Sequence, residues 1–454
     1  QIGSDIMKLF DDTIIGISTA LSKGAISIIR LSGDDAIKIV NKVFKGIDLS
    51  KVEPNTINYG HIVDFDSCQI IDEVLVSIFK APKSYTKEDV VEINCHGGLF
   101  VTNKIYEQLV LLGARPSEPG EFTKRAFLSG RIDLTKAEAV MDVINAENNA
   151  ALKIANSALN GKISTFVDQK RQELLDIIAT ISVNIDYPEY DDVEQLTNED
   201  ILPKLKTIKL ELEDVLNNAK SAKLLKNGIN TVIVGKPNVG KSSLLNTLIG
   251  ENKAIVTNIP GTTRDIVEAS INLGQVTLNL IDTAGIRITE DVVEKIGVEK
   301  SKEQINKADI ILCVLDGSEP INEQDKEILN EIKNKCHLTI INKIDLEQKI
   351  NLGEVDDNVL FISTKNNNTI KELENKILET LNLNNLFNKD ITYISNARQL
   401  EKINFAIKAL DEALTTIENE ATIDFVDIDI RKAWLYLGEI VGQTSTDNLL
   451  DELF

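Results

Sequence analysis

The stretch "NTVIVGKPNVGKSSLLN", residues 230–246, decides how this chain reads. An apolar, β-branched run leads into Gly235, and after four residues come Gly240, Lys241 and Ser242. The helix-forming run "SSLLNTLIG" follows. Strand, glycine loop and helix is the context in which G-x-x-x-x-G-K-S wraps phosphate groups. Loop amides and the helix N-terminus around Val239, Gly240 and Ser243 face the anion. Lys241 is placed to bridge the β and γ oxygens, and Ser242 to ligate Mg²⁺.

Further motifs follow in the order a nucleotide-binding α/β fold requires. "IDTAG" (Ile281, Asp282, Thr283, Ala284, Gly285) ends a strand, with Asp282 placed to hold Mg²⁺ through water and the Gly285 amide placed to sense a γ-phosphate. "NKID" supplies Asn342, Lys343 and Asp345. The Asp345 carboxylate can accept two hydrogen bonds, from N1–H and the 2-amino group of guanine, a pair adenine does not offer. "ISTK" sets Ser363, Thr364 and Lys365 where they can support the base. "PGTTRD" (Pro260, Gly261, Thr262, Thr263, Arg264, Asp265) lies where a switch segment supplies a threonine to Mg²⁺. Together these motifs assign GTP rather than ATP.

One position narrows the kind of GTPase. Ras-like enzymes follow Asp-x-Ala-Gly with a glutamine that orients the attacking water. Here that residue is Ile286, which has no polar atom to offer. The residues themselves leave Glu290, Glu294 and Glu299 equally eligible for that work.

Composition sets the frame. At 454 residues, about three domains are expected. Net charge is −22, from 49 basic and 71 acidic side chains, which argues against a bulk electrostatic nucleic-acid binder and leaves room for a local basic patch. The four cysteines, Cys68, Cys95, Cys313 and Cys336, are scattered without a C-x-x-C pair, which fits a reducing compartment. His61, His96 and His337 are too far apart in sequence to read as a metal cluster. No apolar run approaches the roughly 18–20 residues needed to span a bilayer, and no signal peptide is visible. A cytoplasmic protein is expected. The opening "QIGSD" reads as a foreign leader, with Met7 as the expected native start.

Three textures divide the chain into an α+β, an all-α and an α/β part. Residues 7–130 mix short β-rich runs ("AISIIRLSG", "VLVSIFKAP", "DVVEINCHGG") with turns and a helix or two. Residues 131–225 are helical, opening on "TKAE", read as a capping box in which Thr135 caps and Glu138 reaches back. Residues 226–384 alternate strands and helices. In 385–454 helix returns: Leu400, Ile403, Ile407, Leu410, Leu414 and Ile417 step by three and four along one apolar face. Both helical stretches carry apolar stripes in need of a partner. The expectation is one helical domain made from both, with the α/β domain inserted between them.

"GKPNVGKSS", "VTNIPGTTRD", "DTAGIR" and "NKID", preceded by "RLSG", "EINCHGG" and "RPSEPGEFTKRAF", resemble the MnmE (TrmE) family of tRNA modification GTPases. That family belongs to the TrmE-Era-EngA-like K⁺-dependent GTPases, and the resemblance covers essentially the whole chain. It implies a Ras-like P-loop G domain inserted in a split helical domain, behind an N-terminal domain that forms a homodimer and binds a tetrahydrofolate derivative, 5,10-methylene or 5-formyl. It implies a partner, the flavoprotein MnmG (GidA), in a heterotetramer that installs an aminomethyl or carboxymethylaminomethyl group at C5 of the wobble uridine of certain tRNAs. Residue by residue, it implies K⁺ ligation by Asn238, Thr257, Ile259 and Thr262, with Asn258 of the same loop among the nucleotide-binding residues. Thr263 becomes the second Mg²⁺ ligand, and Glu294 the glutamate that orients and activates water through an intervening water. Arg30, Glu92 and Arg131 match positions that bind the folate.

The chain departs from the family pattern at its end. Family members finish with a Cys-x-Gly-Lys tail after a helix like "DNLLDELF", whereas this sequence stops at Phe454. As written, it is expected to hydrolyse GTP and be crippled in modification. Restoration of normal modified-uridine levels by this chain, in cells lacking their own enzyme, would contradict that. The rival class is a GTP-switched ribosome-assembly or RNA-binding protein. Folate binding by residues 7–130 separates the two readings.

Overall fold

The computed structural model describes residues 11–186, 198–251, 267–281, 305–355, 357–363, 369–384, 394, 396–419 and 422–443. By contact density the chain divides into two compact units, one Gln1–Ala137 with Val441–Phe454, the other Glu138–Ile440.

The first unit is built on strands β1 (Ile14–Ile17), β2 (Ile26–Ser32), β3 (Phe44–Lys45), β4 (Thr56–Val63), β5 (Ile70–Phe79), β6 (Val90–His96) and β7 (Arg115–Pro116). They form one seven-stranded sheet in the order β3-β4-β5-β6-β2-β1-β7, antiparallel except where β7 runs parallel to β1. Period-2 alternation sends Ile29, Leu31, Val74, Val76, Ile78, Val91 and Ile93 to one face. There they form a core with helices α1 (Ala36–Asn41) and α2 (Leu99–Leu111). The registers Arg30↔Glu92, Ile26↔His96, Leu75↔Asn94 and Tyr59↔Leu75 place the opposite set on the other face. On that face Ile26, Ile57, Tyr59 and Leu75 are exposed. Helix α3 (Glu121–Leu128) follows β7, and α4 begins at Leu134 (Leu134–Ile144).

In the second unit, β8 (Ile229–Val234), β9 (Val267–Leu273), β10 (Val276–Ile281), β11 (Ile310–Asp316), β12 (His337–Asn342) and β13 (Val359–Phe361) make a six-stranded sheet. Its order is β13-β12-β11-β8-β10-β9, all parallel except β9, which pairs antiparallel with β10. Parallel strands covered on both faces need apolar side chains on both, and every residue of β11, "IILCVLD", is buried. Helices α8 (Lys241–Glu251) and α10 (Thr369–Thr380) contribute Leu244, Leu248, Leu373 and Ile377 to the core on one face. Helix α9 (Glu323–Ile332) brings Ile332 to the other, against Ile311, Cys313 and Leu315. This is the doubly wound arrangement expected of the α/β texture. Strand β9, "VEASINL", forms the edge of this sheet.

The remaining helices are α5 (Asn149–Leu159), α6 (Lys162–Asp186), α7 (Asn198–Asn227), α11 (Ala397–Glu418) and α12 (Ile423–Val441). Helix α7, before the α/β part, lies along α11, after it, and Lys209 of α7 pairs with Asp411 of α11 at 2.5 Å. The stripe Ile403, Ile407, Leu410, Leu414 and Ile417 is buried, with Leu400 at its margin. The Arg171 guanidinium of α6 sits 4.1 Å from the Trp434 ring of α12. The helical halves therefore close on each other around an inserted α/β domain.

The capping box expected at Thr135 does not form. Asp133 takes its place, accepting from the Lys136 amide at 3.0 Å and from the Thr135 hydroxyl at 2.6 Å. Glu138 is drawn away to a half-hidden ion pair with Arg398 at 2.9 Å and a hydrogen bond from Gln399. A charged partner outcompetes a backbone amide for a shielded carboxylate.

Candidate GTP site and candidate folate site

The phosphate loop leaves the C-terminal end of β8, which lies between β10 and β11 in the sheet. Its course requires glycine at two points. Gly235 has φ +148, and a Cβ there would lie 2.3 Å from the Val314 carbonyl oxygen. Gly240 has φ +102, and a Cβ there would lie 2.1 Å from the side-chain nitrogen of Asn342. Between them Asn238 adopts φ +64, a left-handed conformation that asparagine tolerates, with its side chain exposed at the tip of the loop. Val239 is buried in the core and anchors the far limb of the loop. Buried Leu244, Leu245 and Leu248 hold α8 so that its first residues, Lys241, Ser242 and Ser243, stand at the loop, the two serines exposed.

Lys241 Nζ donates to the carbonyls of Gly235 and Lys236, each at 2.7 Å. Burial pushes its pKa down. A desolvated ammonium held, among the described residues, by two neutral carbonyls is suited to a phosphate, which would be a stronger partner. Loop amides, a helix N-terminus and this lysine make a cradle fit for a polyphosphate, and exposed Ser242 offers a hydroxyl to a hard cation.

The residues expected to read the base are tied to the same loop. Buried Asn342, at the end of β12, donates from Nδ2 to the Val239 carbonyl at 3.0 Å. Lys343, at φ +63, sends Nζ to Asp316 at 2.5 Å. Asp316 also accepts from the Ser318 amide at 3.0 Å and hydroxyl at 2.7 Å. Burial works to raise the Asp316 carboxyl pKa, yet Lys343 and Ser318 prevail and hold it below the ordinary carboxylate range. Ser363 donates to the exposed Asp345 carboxylate at 3.0 Å, which fixes the group expected to read guanine.

The structure thus gathers Asn238, Val239, Gly240, Lys241, Ser242, Ser243, Asn342, Lys343, Asp345 and Ser363 at one edge of the sheet. Thr257, Asn258, Ile259, Pro260, Gly261, Thr262, Thr263, Asp282, Thr283, Ala284, Gly285, Ile286, Glu290, Glu294, Glu299, Thr364 and Lys365 lie outside the described residues. Among residues the sequence reading did not single out, Lys236 and Asp316 belong to the site. Neither stands out in sequence, because their partners are 83, 89 and 27 positions away.

In the N-terminal unit, Arg30 and Glu92 are cross-strand partners in β2 and β6 and pair at 2.8 Å. The Arg30 guanidinium lies 5.7 Å from the Tyr85 ring and 5.6 Å from the Phe122 ring. Arg131 lies 4.8 Å from the same Tyr85 ring, whose hydroxyl bonds the Thr123 hydroxyl at 3.0 Å. Two of the three residues expected from the sequence, Arg30 and Arg131, therefore converge on one aromatic side chain, Tyr85, and Glu92 joins them through its pairing with Arg30. A carboxylate, two guanidiniums and two rings suit a flat heterocycle bearing N–H donors and an anionic tail. Nearby, Arg125 is almost fully buried among Asp12, Glu88 and Glu121, and Arg115 pairs with Asp12 and Glu121, each contact 2.5–3.2 Å.

Cys95 and Cys313 are buried, and burial pushes the Cys313 thiol up to about 12, so neither is a reactive thiol. Among the described residues no group of three His, Cys, Asp or Glu is placed to hold a metal, and no helix is long and apolar enough to cross a membrane.

A family model described as the MnmE helical domain matches residues 134–454, and one described as the GTP-binding protein TrmE N-terminus matches residues 13–131. The tRNA modification GTPase MnmE of Bacillus cytotoxicus is 49% identical over 448 residues, 98% of either chain. That of Bacillus mycoides is 48% identical over the same span. Among solved structures, the G domain of the T. maritima FeoB iron transporter is similar over 34% of this chain and 98% of its own, with 28% identity and a TM-score of 0.26.

Proposed function

This chain belongs to the MnmE family of tRNA modification GTPases, and we propose on that premise a K⁺-dependent GTP hydrolase that drives a folate-dependent modification of the wobble uridine. As a member of that family it hydrolyses GTP in tRNA modification. In our reading it works with the flavoprotein MnmG in a heterotetramer in the cytoplasm. The pair adds an aminomethyl or carboxymethylaminomethyl group at C5 of the uridine, with a tetrahydrofolate derivative as one-carbon donor.

Attack of water on the γ-phosphate is limited by charge build-up and by placement of the water. Lys241 neutralises charge from the floor of the loop. Ser242 and Thr263 would hold Mg²⁺, and Asp282 would hold it through water. Asn238, Thr257, Ile259 and Thr262 would hold K⁺. The two cations, when bound, supply positive charge at the phosphates. Glu294 orients the water in place of the glutamine that Ile286 displaces. Asn342, Lys343, Asp345, Ser363, Thr364 and Lys365 select guanine.

The division we propose is 7–130 for folate binding and dimerisation, 131–225 and 385–454 for the helical domain, and 226–384 for the G domain. Arg30, Glu92 and Arg131 bind the folate. The exposed Ile26, Ile57, Tyr59 and Leu75 on the uncovered sheet face support dimerisation through the N-terminal domain.

The observation that carries the K⁺ reading is Asn238: an exposed residue at φ +64 in the phosphate loop, two residues from Gly240. GTP turnover in K⁺ should far exceed turnover in Na⁺ at equal ionic strength. Equal rates would remove the role of Asn238.

A further inference from the structure

Lys236, the first residue after Gly235, carries its side chain to two carboxylates, Glu319 and Asp325. Its ammonium lies 3.1 Å from Glu319 and 3.2 Å from Asp325, and the side chain is only 10% exposed. Asp325 sits in the first turn of α9 with its side chain 4% exposed, locked in a capping box with Asn322. Its Oδ2 accepts from both Lys236 and the Asn322 amide, and its Oδ1 has no hydrogen-bond partner among the described residues. Burying a half-satisfied carboxylate is costly, and Lys236 is the cation that offsets it. The Lys236 carbonyl is meanwhile one of the two acceptors holding Lys241.

We infer that Lys236 is a positioning residue for GTP binding: Asp325 and Glu319 grip its side chain and so fix the peptide that sets the near limb of the phosphate loop. Val239, in the core and tied to Asn342, fixes the far limb. A loop pinned at both limbs meets the polyphosphate with its amides already aimed, so less ordering entropy is lost on binding. Because loop contacts serve ground state and transition state alike, loosening one limb raises KM more than it lowers kcat.

This inference rests on reading Gly235–Ser242 as the phosphate loop, and the experiment keeps the two apart. Steady-state GTP hydrolysis and thermal unfolding are measured on the full chain for K236M, K236R, K236M/D325N and K241A. Lys241→Ala should lose GTP turnover; normal KM and kcat in that variant would sink the loop reading itself. Lys236→Met should raise KM about tenfold with kcat within about twofold, and Lys236→Arg should stay near the parent. The double variant removes the stranded carboxylate, so its melting temperature should recover while KM stays high. An unchanged KM in K236M would overturn the inference. So would a KM restored together with the melting temperature in the double variant, since that is the behaviour of a purely structural ion pair.

Discussion

The side-chain amide of Asn148 donates to the Thr277 hydroxyl at 3.0 Å, tying the N-cap of α5 to strand β10 of the six-stranded sheet. The same amide reaches the Leu225 carbonyl at the end of α7 at 3.2 Å, and its oxygen caps α5 through the Ala151 amide at 2.7 Å. One buried side chain thereby joins two helices to a strand. Asn148→Ala should cost about 2–3 kcal/mol, the sum of a lost cap and two buried hydrogen bonds. Urea unfolding at unchanged slope would show it as a lower midpoint. A loss under about 0.5 kcal/mol would mean that the junction is held by its apolar contacts alone.

Acid should loosen the N-terminal unit. Burial works to raise the carboxyl pKa values of Asp12 and Glu121, but Arg115 and Arg125 outweigh it and hold both below their ordinary 3.8 and 4.5. Folded values below unfolded ones mean that this stability is fully present above about pH 4.5 and fades as pH falls through the depressed folded values. Calorimetry between pH 5 and pH 3 should show the unit's transition moving down, with a shallower fall in Asp12→Asn. Equal slopes for parent and variant would assign acid sensitivity to other carboxylates.

What was legible in the sequence was whatever is repeated over many residues or fixed by close spacing. Strand β11 could be read because a strand covered on both faces leaves no polar position, and the α11 stripe because a single face is buried. Gly235 and Gly240 could be placed because only glycine fits where Val314 and Asn342 press in. What stayed hidden depended on one distant partner. Thr135 and Glu138 look like a capping box until Arg398, 260 positions on, claims the glutamate. Tyr85 sits in a polar loop with no pattern around it. Its value comes from Arg30 and Arg131 arriving from a strand and a loop elsewhere.

Asp345→Asn should invert base preference. The carboxylate held by Ser363 accepts two donors from guanine, whereas an amide offers one donor and one acceptor, which suits xanthine. GTP should bind at least about tenfold more weakly and XTP more tightly than in the parent. Unaltered GTP preference in competition binding would place the base elsewhere.

Tyr85→Ala should weaken tetrahydrofolate binding about tenfold without touching GTP turnover, because the ring braces both Arg30 and Arg131. Calorimetric titration of the full chain with 5-formyltetrahydrofolate measures it. Parent-like affinity would leave Tyr85 as a packing residue of the loop.

The pairing of α7 with α11 has a consequence for synthesis. Some 170 residues separate the end of α7 from the start of α11. At roughly 5–20 residues per second, the ribosome needs about 10–30 s to make them. For that time the apolar stripe of α7 has been made and its mate has not, while the sheet between them can already fold. We therefore expect the nascent chain to depend on a holding chaperone at this stage. Ribosome-stalled chains ending near residue 390 should be cut by protease within α7, where the released full chain resists, and equal resistance would refute this. A domain split in sequence is thus a domain delayed in time, finished only once the enzyme it carries has been made.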